Sequence, residues 1–397
     1  MNIVAMSPND WDGQWVNRQQ LLSRLGRKRP ILYSTGGWSM WDRHSPAYRA
    51  SSGLGRIESK DGVLLDRPGR WLPRWPRLRC WDNAAIASQA RRWRAAFGAG
   101  GNAPMVAYVC HPMFMPYVAA LRPDYVVYHC YDLFAHQPGW TDELAQAERQ
   151  LLALADLIFS PTQMLSDYLM QQAPCKAWVL QNAADVQAIF GAAQRKVAPP
   201  ADLAAIASPR IGYVGSIHPQ LDLALIAELS QRQPLWQFVL IGPEQGGALL
   251  QGDAGYLACR ARPNVHLLGE RHRHVVPDYL LHMDANMMFY RLTPDSWTHV
   301  AYPLKLHEYL ACGRPVVSVN LRMIQEFAGL IEFADGVDAW EQALTKALAE
   351  QDAPLRAQRR AAAEINSWEA RTAVLDAWLS DLPLMRNQRL ATASART

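Results

Sequence analysis

Tyr302–Ser318 reads YPLKLHEYLACGRPVVS, an apolar helix followed by strand-forming residues. Pro303 suits the first helical position and Gly313 the position just past the end, which bounds a helix of about ten residues. Leu306, Tyr309 and Leu310, spaced i, i+3, i+4, form its buried stripe, and Lys305, Glu308 and Cys312 fall on a neighbouring face. A lysine at a helix amino terminus opposes the dipole, so the placement is unfavourable unless an anion lies there. A diphosphate fits, held by Lys305 and by first-turn backbone N–H groups, with Glu308 one turn deeper to accept bonds from ribose hydroxyls. The plainer reading is a surface Lys–Glu pair worth a few tenths of a kcal/mol.

Outward from this stretch, strands and helices alternate in two blocks. The first opens with strand Asn2–Met6, helix Asn17–Leu25 and strand Ile31–Ser34. It resumes with a helix over 83–97 and continues through strands at 105–110, 125–130, 157–160 and 177–182. The second begins at strand Arg210–Gly215 and runs through strands at 236–242, 264–269, 285–290, 315–319 and 330–334. Such alternation predicts mostly parallel, doubly wound sheets. The expected organisation is an acceptor-binding Rossmann-like domain over 1–190, a linker over the Ala-, Gln- and Pro-rich 191–208 and a second Rossmann-like domain over 209–365. A helix over 366–380 returns to the first domain, and 381–397 forms a disordered tail. Ligands of open α/β sheets bind at the carboxyl ends of strands, so the two domains are expected to face a cleft.

At 397 residues, two domains are the natural prior. The six cysteines are scattered, without the spacing of a zinc site or a disulfide framework, which suits a reducing cytosol. The amino terminus lacks the pattern of a signal peptide, and no apolar run reaches the ~18 residues of a membrane span. The net charge of +4 hides an asymmetry: residues 1–100 hold 17 Lys and Arg against 7 Asp and Glu, and eight of the 15 tryptophans. Within them, Trp71–Trp81, WLPRWPRLRCW, interleaves rings with Arg74, Arg77 and Arg79. That mixture suits an anionic membrane surface, residues 70–81 being the contact, or else an arginine-rich loop folded onto its own domain. With no recognition module beside the patch, nucleic acid is not expected as a partner.

Taken with the segments around it, the opening stretch resembles the donor helix of GT-B glycosyltransferases of the glycosyltransferase family 4 type, bacterial enzymes that build lipopolysaccharide, exopolysaccharide or teichuronic-type polymers. Tyr128–Phe134 (YHCYDLF), Leu154–Leu165 (LADLIFSPTQML), Val179–Phe190 (VLQNAADVQAIF), Arg210–Ile226 (RIGYVGSIHPQLDLALI) and Asn264–Glu270 (NVHLLGE) follow the family's order, with 35–100 the weakest stretch. The resemblance implies a metal-independent transfer from a nucleoside-diphosphate sugar, with no cofactor, to a glycan or lipid-linked acceptor at the inner face of the cytoplasmic membrane. It implies that Glu308 holds the ribose and Lys305 the phosphates, and that Gly215 and Ser216 form the loop beneath the diphosphate. It makes Asp132 the acceptor-side carboxylate. His218 and Arg291 are further donor-side candidates, and Asp132 reads equally well as a turn aspartate. Many retaining relatives carry a glutamate where this chain has Val300, which leaves the stereochemistry open, as are the sugar, the base and the acceptor.

Trp11, Asp12 and Gln14, just after the first strand, are candidates for the acceptor mouth, as is His111 at a strand end. Asp10-Trp11-Asp12 also has the spacing of a metal-binding DxD, but its place after the first strand argues against a metal, as does the lack of a ligand partner for His272-Arg273-His274. Two alternatives use the same donor site: a GT-B-like sugar-nucleotide epimerase and a non-catalytic scaffold of a polysaccharide assembly.

Overall fold

Strand and helix alternate in the computed structural model of the protein, which describes residues 1–13, 15–98, 103–292 and 302–387. The chain divides into two units, Met1–Gln181 with the carboxyl-terminal segment from Arg371, and Asn182–Ala370. The first unit runs β1 (Asn2–Met6), α1 (Asn17–Leu25), β2 (Ile31–Ser34), α2 (Pro46–Ala50), β3 (Arg56–Lys60), β4 (Val63–Arg67), α3 (Arg79–Ala95), β5 (Met105–Val109), α4 (Met115–Leu121), β6 (Tyr125–His129), α5 (Asp142–Leu154), β7 (Leu157–Ser160), α6 (Gln163–Gln172) and β8 (Ala177–Val179). Its eight strands are ordered β3-β4-β2-β1-β5-β6-β7-β8. All neighbours are parallel except β3 and β4. β1 and β5 are buried at every residue, as central strands covered on both faces must be.

The second unit runs α7 (Val186–Arg195), α8 (Ala201–Ala204), β9 (Arg210–Val214), α9 (Leu223–Arg232), β10 (Gln237–Ile241), α10 (Gly247–Gln251), α11 (Ala254–Arg260), β11 (Val265–Gly269), α12 (Val276–Leu281), β12 (Ala285–Met288), α13 (Lys305–Cys312), β13 (Val316–Ser318), β14 (Glu332–Phe333), α14 (Val337–Ala349), α15 (Ala353–Ile365) and the start of α16 (Trp368–Ser380). Its six strands, ordered β11-β10-β9-β12-β13-β14, are all parallel. No helix among the described residues is long and apolar enough to cross a membrane.

Four details differ from the sequence reading. The stretch expected as a linker contains the end of α7, residues 191–195, and the whole of α8, Ala201–Ala204. α7 is capped by Asp185 and buries Ile189 and Ala192, and Leu203 joins a core cluster with Val239, Ile241 and Tyr279. Alanine and glutamine are good helix formers, so a run rich in them is not by composition a linker. The division of the chain therefore falls at Gln181/Asn182 instead of 190. α3 starts at Arg79, four residues earlier than expected, which places Trp81 on a helix.

The hairpin β3–β4 was absent from the sequence reading. Its turn carries Asp61 at φ 50° and Gly62 at φ 82°, the Asp-Gly signature of a tight hairpin. β4 delivers Asp66, whose fully buried carboxylate accepts from Ser34 Oγ, Gln89 Nε2, Trp93 Nε1 and the Arg92 guanidinium. One acid thus ties β2, β4 and α3 together.

Finally, residues 382–387, placed in a disordered tail, are helical, and Leu382 is fully buried. From Arg371 onward α16 is part of the first unit. Arg371 Nε donates to the Gln181 carbonyl, Asp376 pairs with Arg29 at 2.5 Å, and the Trp378 ring lies 5.6 Å from that of Trp178. The remainder of the tail lies outside the described residues.

Candidate functional site

In the second unit, β9, β10 and β11 each end at a glycine with positive φ: Gly215 (147°), Gly242 (148°) and Gly269 (73°). The first two are obligatory. A Cβ on Gly242 would stand 2.1 Å from the Gly215 carbonyl oxygen, and one on Gly215 would stand 2.2 Å from Lys305 Cε. Lys305 therefore lies across the end of β9, its ammonium 5.1 Å from the Tyr213 ring centroid, donating to Tyr290 Oη at 3.2 Å. Tyr309 fastens α13 to the same strand end, its hydroxyl accepting from the Val214 N–H.

α13 begins at Lys305, so Pro303 lies ahead of the helix and not at its first position, while Gly313 closes it at φ 71° as the sequence suggested. Lys305 and Glu308 are both half-buried. Burial works against the lysine's charge, but the Tyr213 and Tyr290 phenols outweigh it and hold its pKa above the usual lysine range. Among the described residues no carboxylate forms an ion pair with it. Burial pushes the Glu308 carboxyl up to about 7; Lys305 pulls it down and Asp185 raises it further. No hydrogen-bond partner for that carboxyl exists among the described residues.

His218 joins this group. Burial and the Lys305 charge lower its pKa, and its Nδ1 is buried without a partner. The Tyr213 hydroxyl donates to the Ser216 carbonyl, fixing the loop after β9. Arg291 is committed elsewhere: its guanidinium pairs at 2.9 Å with Asp253, which caps α11. Sequence reasoning missed Tyr213 and Tyr290, which read as ordinary strand residues. It missed the role of Gly242 too, although three strands each ending in glycine was a legible signal.

In the first unit, Asp132 follows β6. One of its oxygens accepts from the Leu133 N–H at 2.8 Å and the other from Gln137 Nε2 at 2.6 Å. Burial raises its pKa; those bonds and the Arg18 charge partly offset the rise. Arg18, which sequence reasoning passed over, is 3% exposed, stacks 3.5 Å from the Tyr131 ring centroid and binds Asn9 and Asn17. His111 caps the short 3-10 turn after β5 through Nδ1 and packs edge-on to Phe134; burial holds its pKa down at about 4, so the ring is neutral.

Trp11 is 1% exposed; its indole N–H donates to Asp61, and it packs edge-on against Tyr33. A large apolar ring beside the central strands is worth more inside than out. Asp12 is exposed and ion-paired with Lys60 and Arg67; burial opposes its charge, but those cations lower its pKa overall. Gln14 and Val300 lie outside the described residues. No group of three or more His, Cys, Asp or Glu is placed to hold a metal among the described residues.

Residues 208–350 match the family described as Glycosyl transferases group 1. Over 211 residues the chain is 30% identical to TuaH of Bacillus subtilis (strain 168), named for a glycosyltransferase role in teichuronic acid biosynthesis; the match covers 50% of this chain and 51% of that protein. The chain thus spans about half the length of this curated relative. Sucrose-phosphate synthase from Thermosynechococcus elongatus superposes with a TM-score of 0.66 at 16% identity, covering 96% of this chain and 98% of that one. Anabaena HepE in complex with UDP and glucose gives 0.63 at 13%, covering 96% and 99%. The UDP-forming trehalose-phosphate synthase of Burkholderia xenovorans, in complex with glucose-6-phosphate, gives 0.64 at 14%, covering 96% and 100%. The chain has the GT-B fold, and its residues 208–350 are similar to the Glycosyl transferases group 1 family.

Proposed function

We propose that this protein is a glycosyltransferase that moves a sugar from a nucleoside-diphosphate sugar to a glycan or lipid-linked glycan acceptor in surface polysaccharide synthesis. The observation that carries the reading is the pairing on α13. Lys305, with no carboxylate among the described residues neutralising it, meets the glycine-ended strands, and one turn on Glu308 presents a carboxyl with no partner among the described residues. A diphosphate supplies the missing anion, and two ribose hydroxyls supply the missing donors. Gly215 and Ser216 let the diphosphate approach the backbone, and His218 offers a neutral imidazole beside it. Lys305 stabilises the charge that develops on the departing diphosphate, a positioned cation acting where water is excluded. Asp132 is the acceptor-side carboxylate, with Asp12 and His111 beside the acceptor.

A metal ion takes no part in this reading, so turnover is expected to be unchanged by EDTA. The relatives support the reading: HepE was solved with UDP-glucose, and TuaH is named for a glycosyltransferase role in teichuronic acid biosynthesis. A thermal-shift screen against UDP-, GDP- and dTDP-sugars tests it, because a ligand at 100 times its Kd adds about 2.7 kcal/mol of stability. A midpoint unmoved by all three would overturn the assignment.

We further propose that the protein works at the inner face of the cytoplasmic membrane. Trp71 (68% exposed), Trp81 and Leu78 stand out from the first unit amid Arg70, Arg77 and Arg79. Flotation with anionic but not zwitterionic vesicles is the expected result, lost in Trp71→Ala/Trp81→Ala.

A further inference from the structure

The chain has six lysines, all among the described residues, and five of them are exposed. Lys28, Lys60 and Lys346 pair with the carboxylates of Asp376, Asp12 and Glu332, and Lys176 lies over the Trp178 ring. Lys305 alone of the six is half-buried, and it meets two phenols. An ammonium drawn out of water is costly unless hydrogen bonds and opposite charge offset the loss, and a carboxylate is the ordinary partner. A neutral pair in that place does something an acid cannot.

The two rings reach the ammonium from different strands. Tyr213, on β9, is fully buried; its ring centroid lies 5.1 Å from Lys305 Nζ, and its ring packs edge-on against Phe289. Its hydroxyl gives its proton to the Ser216 carbonyl at 3.0 Å, so towards Lys305 the oxygen can only accept. Tyr290, two residues past β12, is 4% exposed; its ring centroid lies 5.7 Å from Nζ, and its Oη accepts from the ammonium at 3.2 Å. Aromatic rings at these distances attract a cation without carrying charge. Both tyrosines also hold the loop after β9. Tyr213 does so through Ser216; beside Tyr290, the Asp222 N–H donates to the Phe289 carbonyl and the Arg291 N–H to the Gln220 carbonyl. The lysine and the loop are therefore set by the same two residues.

The other titratable groups around the ammonium do not duplicate this role. Tyr309, on α13 itself, is engaged with the Val214 N–H, and Glu308 on the same helix makes no ion pair with Lys305. Asp185 acts on Glu308, and His218, on the loop after β9, has its pKa lowered by burial and by the Lys305 charge. Removing the two phenol oxygens would leave burial to act on the lysine, and burial favours the neutral amine. A carboxylate in their place would cancel the charge and repel the oxygens of an incoming diphosphate.

We propose that Tyr213 and Tyr290 are positioning residues of the donor site, a neutral clamp that fixes the Lys305 ammonium over the end of β9 without cancelling its charge. The inference rests on the reading of Lys305 as a diphosphate ligand. It adds how the lysine is kept ready for an anion: phenols accept its hydrogen bonds and leave its charge to the ligand.

The test compares the full chain with Tyr213→Phe/Tyr290→Phe, which removes both oxygens and retains both rings, and with Tyr290→Glu and Tyr290→Gln. Trace acetylation with acetic anhydride from pH 7 to pH 10, read by peptide mass spectrometry, reports the neutral amine at Lys305 without any nucleotide. The five exposed lysines serve as internal references. Lys305 is expected to be protected in the wild type and about tenfold or more reactive at pH 9 in the double variant, the change that a pKa lower by one unit gives. The single Tyr290→Phe, expected to change in the same direction by less, serves if the double variant does not fold. Binding of UDP, GDP and dTDP supplies the second reading. For whichever binds, the ratio of double-variant to wild-type Kd is expected to rise about tenfold from pH 7.5 to pH 9.5, as the variant's lysine loses its proton. At pH 7.5 Tyr290→Glu is expected to bind about tenfold more weakly than Tyr290→Gln, because only the glutamate brings a charge. Equal protection of Lys305 in the wild type and both phenylalanine variants overturns the proposal. So does a Kd ratio flat with pH, or equal affinity of the glutamate and glutamine variants. If none of the three nucleotides binds the wild type, the donor reading falls, and acetylation by itself then decides whether the phenols hold the charge.

Discussion

Lys305 and Gly215 form one device, because the lysine occupies the space that any side chain at 215 would need. Lys305→Ala is expected to lower kcat/KM by ~10² or more, in line with the ~2.7–4 kcal/mol lost when one charge-stabilising donor is removed. Gly215→Ala adds a Cβ at φ 147° and 2.2 Å from Lys305 Cε, so it should displace the lysine and abolish the nucleotide-sugar thermal shift. The double variant is then expected to be little worse than either single, a non-additivity that steady-state kinetics will show. Glu308 sets a pH dependence. With its carboxyl up at about 7, the fraction able to accept two ribose hydroxyls falls as pH drops below that value. Affinity for a nucleotide-sugar, whose diphosphate diester gains no proton in this range, should weaken from pH 8 to pH 5.5. Glu308→Gln should bind weakly with a flat profile; a wild-type profile equally flat would exclude the ribose role. The same shift acts on stability. A carboxyl raised on folding favours the folded state while protonated, and that contribution fades as pH rises from the ordinary glutamate value through about 7.

The elements differ in how plainly their residues announce them. β1, β5, β9 and β10 are short apolar runs bounded by breakers, and the sequence shows where they are. β3 and β4 were hidden: RIESK is mostly exposed, and VLLDR ends in charges that look like solvent-facing loop. Asp66 is the reason such a sequence folds inward, since a buried acid is tolerated only when its oxygens are satisfied. Asp66→Ala would strand the Arg92 guanidinium and leave Ser34, Gln89 and Trp93 without an acceptor. Each buried donor left without an acceptor costs ~1–3 kcal/mol. A lowered denaturation midpoint for the first unit, with the nucleotide-sugar shift of the second retained, is the expected outcome; an unchanged midpoint would show that the hub contributes nothing.

At the scale of the whole molecule, the chain leaves its first unit at Gln181, builds the second and comes back at Arg371. The return is a structural part of the first unit. Leu375, Leu379 and Leu382 are fully buried, and Asp376 answers Arg29. Each buried leucine contributes about 1.5–3 kcal/mol, so deleting residues 371–397 removes an amount comparable with the ~5–15 kcal/mol stability of a domain. Limited proteolysis of that truncation should degrade the first unit while a fragment spanning residues 182–370 persists. Equal resistance of both units to protease would contradict the assignment of this segment.

The sequence alone determined the two blocks of alternating strand and helix, the bounds of α13 near Gly313 and the Lys305/Glu308 face, because hydrophobic period, breakers and helix geometry act within a few residues. It determined neither what surrounds Lys305, nor that Trp11 is core, nor that 186–195 is a packed helix. Those follow from which side chains the sheets bring together from distant parts of the chain. Tyr213 and Tyr290 reach one ammonium, and Asp66 reaches four donors, only because parallel pairing places strand ends side by side. The burial that results is what raises the Glu308 pKa and decides which exposed rings remain to meet a partner.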